Sequence, residues 1–105
     1  MHLRTEFGEY KNIKLEINHY AADNSLAIEL WDDEGPVATL TTCLCNPTLN
    51  ENEAYVDTNN CPWALRFINE NNLGEDTGLT RSSGYCIYPL VAFNMDELKK
   101  HSISF

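Results

Sequence analysis

Two neighbouring stretches alternate strictly between apolar and polar residues, and nothing else in the chain limits its fold as much. In NIKLEIN, residues 12–18, Ile13, Leu15 and Ile17 fall on one face and Lys14 and Glu16 on the other. In LAIELW, residues 26–31, Leu26, Ile28 and Leu30 repeat the pattern. A period of two marks a strand with one buried face; a helix repeats its apolar stripe roughly every 3.6 residues. Between the two lies AADNS, whose Asp and Asn bond their own backbone and tolerate bends. After Trp31 come DDEGP and a third apolar run, VATLTTCL. The second and third strands are expected to form a hairpin closed by DDEGP, with Asp32, Asp33 and Glu34 exposed at its end.

CNPTLNENEA, residues 45–54, is rich in Asn, Pro and Glu and is expected to be a surface connection. AYVD is either a short strand or the lead-in to a helix. The clearest helix starts at Pro62, whose missing N–H costs nothing in a first turn. It sets Trp63, Ala64, Phe67 and Ile68 on one face and Arg66, Asn69 and Glu70 on the other. Asn71 to Gly74 then offer residues that accept a left-handed exit. GEDTGLTRSSG is expected to be a long polar loop and YCIYPLVAF a last strand. Pro89 cannot donate to a ladder, so that strand is expected at an edge or with a bulge. Asn94 and Glu97 resemble a capping box ahead of a short MDELKK helix. With 105 residues and no repeat or linker, the expectation is one domain, residues 1–105. Its class is α+β, an antiparallel sheet of about four strands with one main helix packed on it and a short C-terminal helix.

Charge narrows the partners. Sixteen acids against seven bases give a net charge of −9. No Lys or Arg occurs from Leu15 to Leu65, while that stretch holds Glu16, Asp23, Glu29, Asp32, Asp33, Glu34, Glu51, Glu53 and Asp57. Nucleic acid and anionic membranes repel such a surface, and basic protein surfaces attract it. No apolar run approaches the roughly 18 residues of a membrane span, and MHLRTEFGEY lacks the pattern of an export signal. The expectation is a cytoplasmic protein, with no membrane and no direct nucleic-acid partner.

Catalytic and metal chemistry find little support. Cys43 and Cys45 are too close together for a zinc half-site, no second pair follows, and a reducing compartment argues against disulfides among Cys43, Cys45, Cys61 and Cys86. The histidines His2, His19 and His101 lie far apart in sequence. No phosphate-binding Gly loop, nucleophile elbow or zinc-protease helix is present, and DDEGP lacks the oxygen spacing of a calcium loop. The chain is expected to be no enzyme and to carry no cofactor. Trp31, Trp63, Tyr85 and Tyr88 are of the types that anchor interfaces, although Trp63 also suits a helix core and Tyr88 a sheet.

Three stretches, LAIELWDDEGPVATLTTCL, NEAYVDTNNCPWALRFINENNLGEDTG and SGYCIYPLVAFN, together resemble a family described only as a domain of unknown function. Its small proteins are carried by phages, plasmids and conjugative elements of Gram-positive and gut bacteria. The likeness spans about residues 12–95, with the Pro-Trp helix and the Tyr-Pro strand its most specific parts. It implies a mobile-element accessory protein and brings no catalytic residues. Small acidic proteins of such elements include inhibitors of host defence, among them anti-CRISPR and antirestriction proteins. Joined to the charge pattern, this gives the leading expectation. The chain would block the nucleic-acid channel of a CRISPR effector or another defence nuclease, with Glu29, Trp31, Asp32, Asp33, Glu34, Glu51, Glu53 and Asp57 as partner-binding residues. That requires the sheet to gather these acids near Glu16 as one unneutralised patch imitating a polyanion. The alternative is a non-inhibitory interaction module of a conjugative or phage element, binding through Trp31 or the edge near Pro89.

Overall fold

The computed structural model describes residues 1–103. Its elements run β1 (Leu3–Thr5), β2 (Gly8–Tyr10), β3 (Lys14–His19), β4 (Leu26–Asp32), β5 (Gly35–Thr39), β6 (Thr41–Thr42), β7 (Glu53–Val56), α1 (Ala64–Glu70), β8 (Gly74–Ser83), β9 (Cys86–Phe93) and α2 (Met95–Lys100). The strands form a β1-β2 hairpin, a three-stranded β3-β4-β5 sheet and a four-stranded sheet ordered β6-β7-β9-β8, with every neighbour antiparallel. The α+β class is as expected, weighted towards strand. No helix among the described residues is long and apolar enough to cross a membrane.

The alternating stretches become β3 and β4, and their register sets Leu15 opposite Leu30 and Ile17 opposite Ile28. Leu15, Leu26, Ile28 and Leu30 are wholly buried. Burying each such side chain stabilises the fold by about 1.5–3 kcal/mol. The DDEGP hairpin forms with Asp33 and Glu34 as its turn. Asp32 Oδ1 accepts from the amides of Glu34 (2.8 Å) and Gly35 (3.1 Å).

VATLTTCL does not stay one strand. It breaks at Leu40, whose N–H donates to Ile28 O while its carbonyl accepts from Asp57 N. Leu40 thereby ties the three-stranded sheet to the four-stranded one. AYV of AYVD resolves as strand, within β7, and Asp57 lies just past it. The inner faces of both sheets, with α1, Leu3, Ile13, Leu73 and Leu98, meet in one apolar cluster.

GEDTGLTRSSG is not a loop: all of it but the last residue, Gly84, forms β8. Its polarity reflects exposure: β8 is an edge strand whose residues after Gly74 are exposed, and its ladder to β9 needs backbone only. Nor is the Pro89 strand an edge, since β9 lies between β7 and β8. Pro89 is tolerated because the β7 ladder stops one residue away, at the Tyr55–Leu90 pair, and because β8 shifts register between Asp76 and Thr80 alongside it.

The α1 helix begins at Ala64, just after Pro62, and buries Ala64, Phe67 and Ile68. Asn72 then takes φ 54, the left-handed exit. Asn94 Oδ1 caps α2 by accepting from the amides of Asp96 and Glu97. Beyond α2, His101 O accepts from Leu15 N and Ile103 N donates to Leu15 O, so this segment lies along the outer edge of β3. The β1-β2 hairpin, which no sequence pattern announced, delivers Leu3 to the core.

Candidate acidic interaction surface

The acids expected to bind a partner divide between the two sheets. On β3 and β4 the period of two sends Leu15, Ile28 and Leu30 inward, so Glu16, Glu29 and Trp31 face the other way. Register sets Glu16 directly opposite Glu29, with Thr39 of β5 next in the same row. Two carboxylates so placed are neighbours about 4.5–5.5 Å apart at Cβ, and they repel. Asn18 Nδ2 donates to Glu16 Oε1 at 3.1 Å, which orients that carboxylate without neutralising it. The adjoining row is Lys14, Trp31 and Pro36, and beyond it lies the Asp32–Glu34 turn. Asn12 Nδ2 donates to Asp33 at 3.1 Å.

One feature of this face was out of reach of the base-free stretch. Lys14 lies just outside it, yet strand pairing returns Lys14 to the same face, between the glutamate pair and the turn acids. Asp33 also shares a shallow concavity with Lys14 and Lys100. None of these contacts is an ion pair. Among the described residues the ion pairs are His2–Glu9, Arg66–Glu70 and Lys100–Glu97; the last borders this face, and none of the three includes one of its carboxylates.

Glu51, Glu53 and Asp57 lie in or beside β7 of the other sheet. Glu53 opens β7 opposite Ala92, and Ala92 in turn faces Glu75 of β8. Glu53 Oε1 accepts from Asn50 N at 2.8 Å. Asp57, just past β7, accepts from Asn60 through both oxygens, N at 3.2 Å and Nδ2 at 2.9 Å. Both sheets bury their inner faces in one cluster, so their outer faces look away from each other. The structure thus groups Glu29 with Glu16, Trp31 and the turn acids, and sets Glu51, Glu53 and Asp57 apart from them.

Trp31 is half-buried, and its indole Nε1 is shielded from water with no acceptor among the described residues. The large exposed apolar side chains lie elsewhere: Phe7 in the β1-β2 turn, and Leu79, Tyr85 and Ile87 on the β8-β9 ribbon. Sequence reading missed the ribbon because polar β8 carries no apolar alternation. The two-residue Gly84-Tyr85 turn before an apolar run was the signal available.

Asp23, outside this face, is 9% exposed and holds the 43–52 connection in place. Its carboxylate accepts from Ser25 N (3.0 Å), Ser25 Oγ (2.6 Å) and Asn46 N (3.1 Å). Burial pushes its pKa up, but these hydrogen bonds outweigh burial and hold it below the usual aspartate value. Among the four free cysteines, burial and then Asp57 push the Cys61 thiol up to about 11. No group of three or more potential metal ligands gathers among the described residues.

Residues 14–104 match a family model described as a domain of unknown function, DUF4313. No curated protein and no solved structure matches the chain.

Proposed function

The chain belongs to the DUF4313 family, a domain of unknown function, and from that premise we propose that it is a mobile-element or phage inhibitor of a host defence nuclease, of the anti-CRISPR type. The observation that carries this reading is the outward Glu16–Glu29 pair beside the Asp32–Glu34 turn: five carboxylates with Lys14, Lys99 and Lys100 at their margins, none of the five in an ion pair among the described residues. Opposed like charges destabilise a sheet, so a chain that keeps them gains something elsewhere. A basic channel built for phosphate offers that compensation, because its Lys and Arg side chains relieve the repulsion on docking. Glu16 and Glu29 stand on strands, so their geometry is fixed before binding, which limits the entropy lost. Catalysis has no part in this reading, and the partner is a basic protein surface in the bacterial cytoplasm.

The test is a panel of purified defence nucleases, CRISPR effectors included, assayed for DNA binding and cleavage with and without the protein. At least one is expected to lose both activities at low salt and to recover as salt rises, since exposed charges screen within about 8 Å at physiological ionic strength. Combined Glu16→Gln, Glu29→Gln, Asp33→Asn and Glu34→Gln substitution is expected to abolish inhibition; Asp32 is spared because it ties the turn. An unaffected panel, or full inhibition by the neutralised variant, rejects the reading.

A second reading, a non-inhibitory interaction module of a mobile element, is favoured by the apolar β8-β9 ribbon with Leu79, Tyr85 and Ile87 in solvent. Its binding would be nearly independent of salt, because apolar contacts are not screened.

A further inference from the structure

We propose that the distal edge of β8, from Thr80 to Ser83, pairs antiparallel with the same edge of a second copy, about a two-fold axis beside Ser82. This uses none of the acidic face and stands apart from the inhibitor reading.

The backbone supplies the donors and acceptors. Ser83 pairs with Cys86 across the two-residue Gly84-Tyr85 turn, in which Gly84 takes φ 61. In such a turn the closing residues form a hydrogen-bonded pair, so Arg81 also directs its backbone groups towards β9. Thr80 and Ser82, out of phase with them, direct theirs outward. β8 is the last strand of its sheet, so among the described residues no strand receives those groups. A free edge of this kind is a template for pairing.

The charge distribution makes this ribbon the surface on which a second copy meets least repulsion. Two molecules of net charge −9 repel each other over most orientations. Yet from Thr77 to Met95 there is no Asp or Glu, and Arg81 is the one charged residue. Contact through this ribbon holds the acidic bodies apart. It also covers Leu79 and Ile87, each 63% exposed, and Tyr85, which is fully exposed.

Register follows by elimination. An axis at Arg81 sets two guanidinium groups opposite each other. An axis at Thr80 runs the pairing into the bulge, where Gly78 N already donates to Asp76 Oδ1 and Leu79 N to Thr77 Oγ1. An axis at Ser82 avoids both. It places Arg81 opposite the uncharged Ser83 of the second copy and Leu79 level with the second copy's Tyr85, and two-fold symmetry repeats each contact.

Sedimentation equilibrium from about 1 μM to 1 mM tests this. The short edge implies a weak dimer, so mass should rise from monomer to dimer within that range. Ser82→Pro removes an outward N–H and leaves the β9 ladder intact; it is expected to give monomer at every concentration. Tyr85→Ser is expected to weaken the dimer at least about tenfold; its side chain is fully exposed, so this variant keeps the test decisive if Ser82→Pro fails to fold. Raising salt should strengthen self-association by screening the −9 charges, opposite to its effect on inhibition. A wild-type monomer at 1 mM, or a dimer unchanged by Tyr85→Ser, overturns the proposal.

Discussion

Asp23 shows how one side chain can organise a segment that sequence marks only as polar. Its carboxylate satisfies Ser25 and reaches Asn46, twenty-three residues away, whose own Nδ2 donates to Tyr55 Oη. Its folded-state pKa lies below the ordinary value, so folding favours the ionised form. That stability is fully present above the unfolded pKa and is lost as pH falls through the folded one. Asp23→Asn is expected to cost about 2 kcal/mol at neutral pH, because the amide cannot accept every bond that the carboxylate does. The variant should also lose less stability than the parent as pH drops below about 4, measured by urea melts at stepped pH. Cys61 and Cys45 make a contrasting pair. Cys61 is buried, with its pKa raised to about 11, and donates to Thr39 O, whereas Cys45 is exposed. Timed alkylation at about pH 8 should modify Cys45 rapidly and Cys61 only on unfolding.

At the scale of elements, β8 and β9 carry the sharpest constraint. Gly74 opens β8, where an added Cβ would come within 2.7 Å of Ala92 O and 2.9 Å of Phe93 Cα. Both are backbone atoms of β9 and neither can swing aside. Gly74→Ala is therefore expected to destabilise the fold by about 2 kcal/mol or more, seen as a lower urea midpoint with an unchanged slope. An unchanged midpoint would mean that the two strands separate freely at that end. The same pair explains why β8 was hidden in the sequence. A strand that buries no side chain has no reason to alternate, and its identity comes from the partner it lies against. Pro89 misled in the same way: a residue unable to donate is harmless in an interior strand where one ladder has ended and the other shifts.

For the whole molecule, charge opposes folding. Glu16 and Glu29 repel across the β3-β4 pair, and −9 of net charge repels throughout. Thermal stability should rise with added salt, and Glu29→Gln should raise it by about 0.5 kcal/mol at low ionic strength. That gain should shrink at high salt, and a loss of stability on neutralising Glu29 would show that the pair is compensated within the fold. Under the inhibitor reading the same substitution weakens nuclease inhibition, which makes the pair a case of stability given up for binding.

The chain's own pattern determined β3, β4, the β4-β5 hairpin, the core face of α1 and the Asn94 cap. Each of these rests on local chemistry: a period of two or of 3.6, a turn residue, a side chain bonding amides two and three residues on. The acidic count and the base-free stretch were legible too, as was the outward position of Glu16 and Glu29. Tertiary structure alone decided which acids are neighbours, because register joins residues thirteen positions apart and the Leu40 crossing carries the β7 acids to another face. It alone returned Lys14 to the glutamate face and made a strand of polar β8. Periodicity reports which way a side chain points, while neighbourhood depends on pairing between distant segments, and that is set by the burial of the shared core.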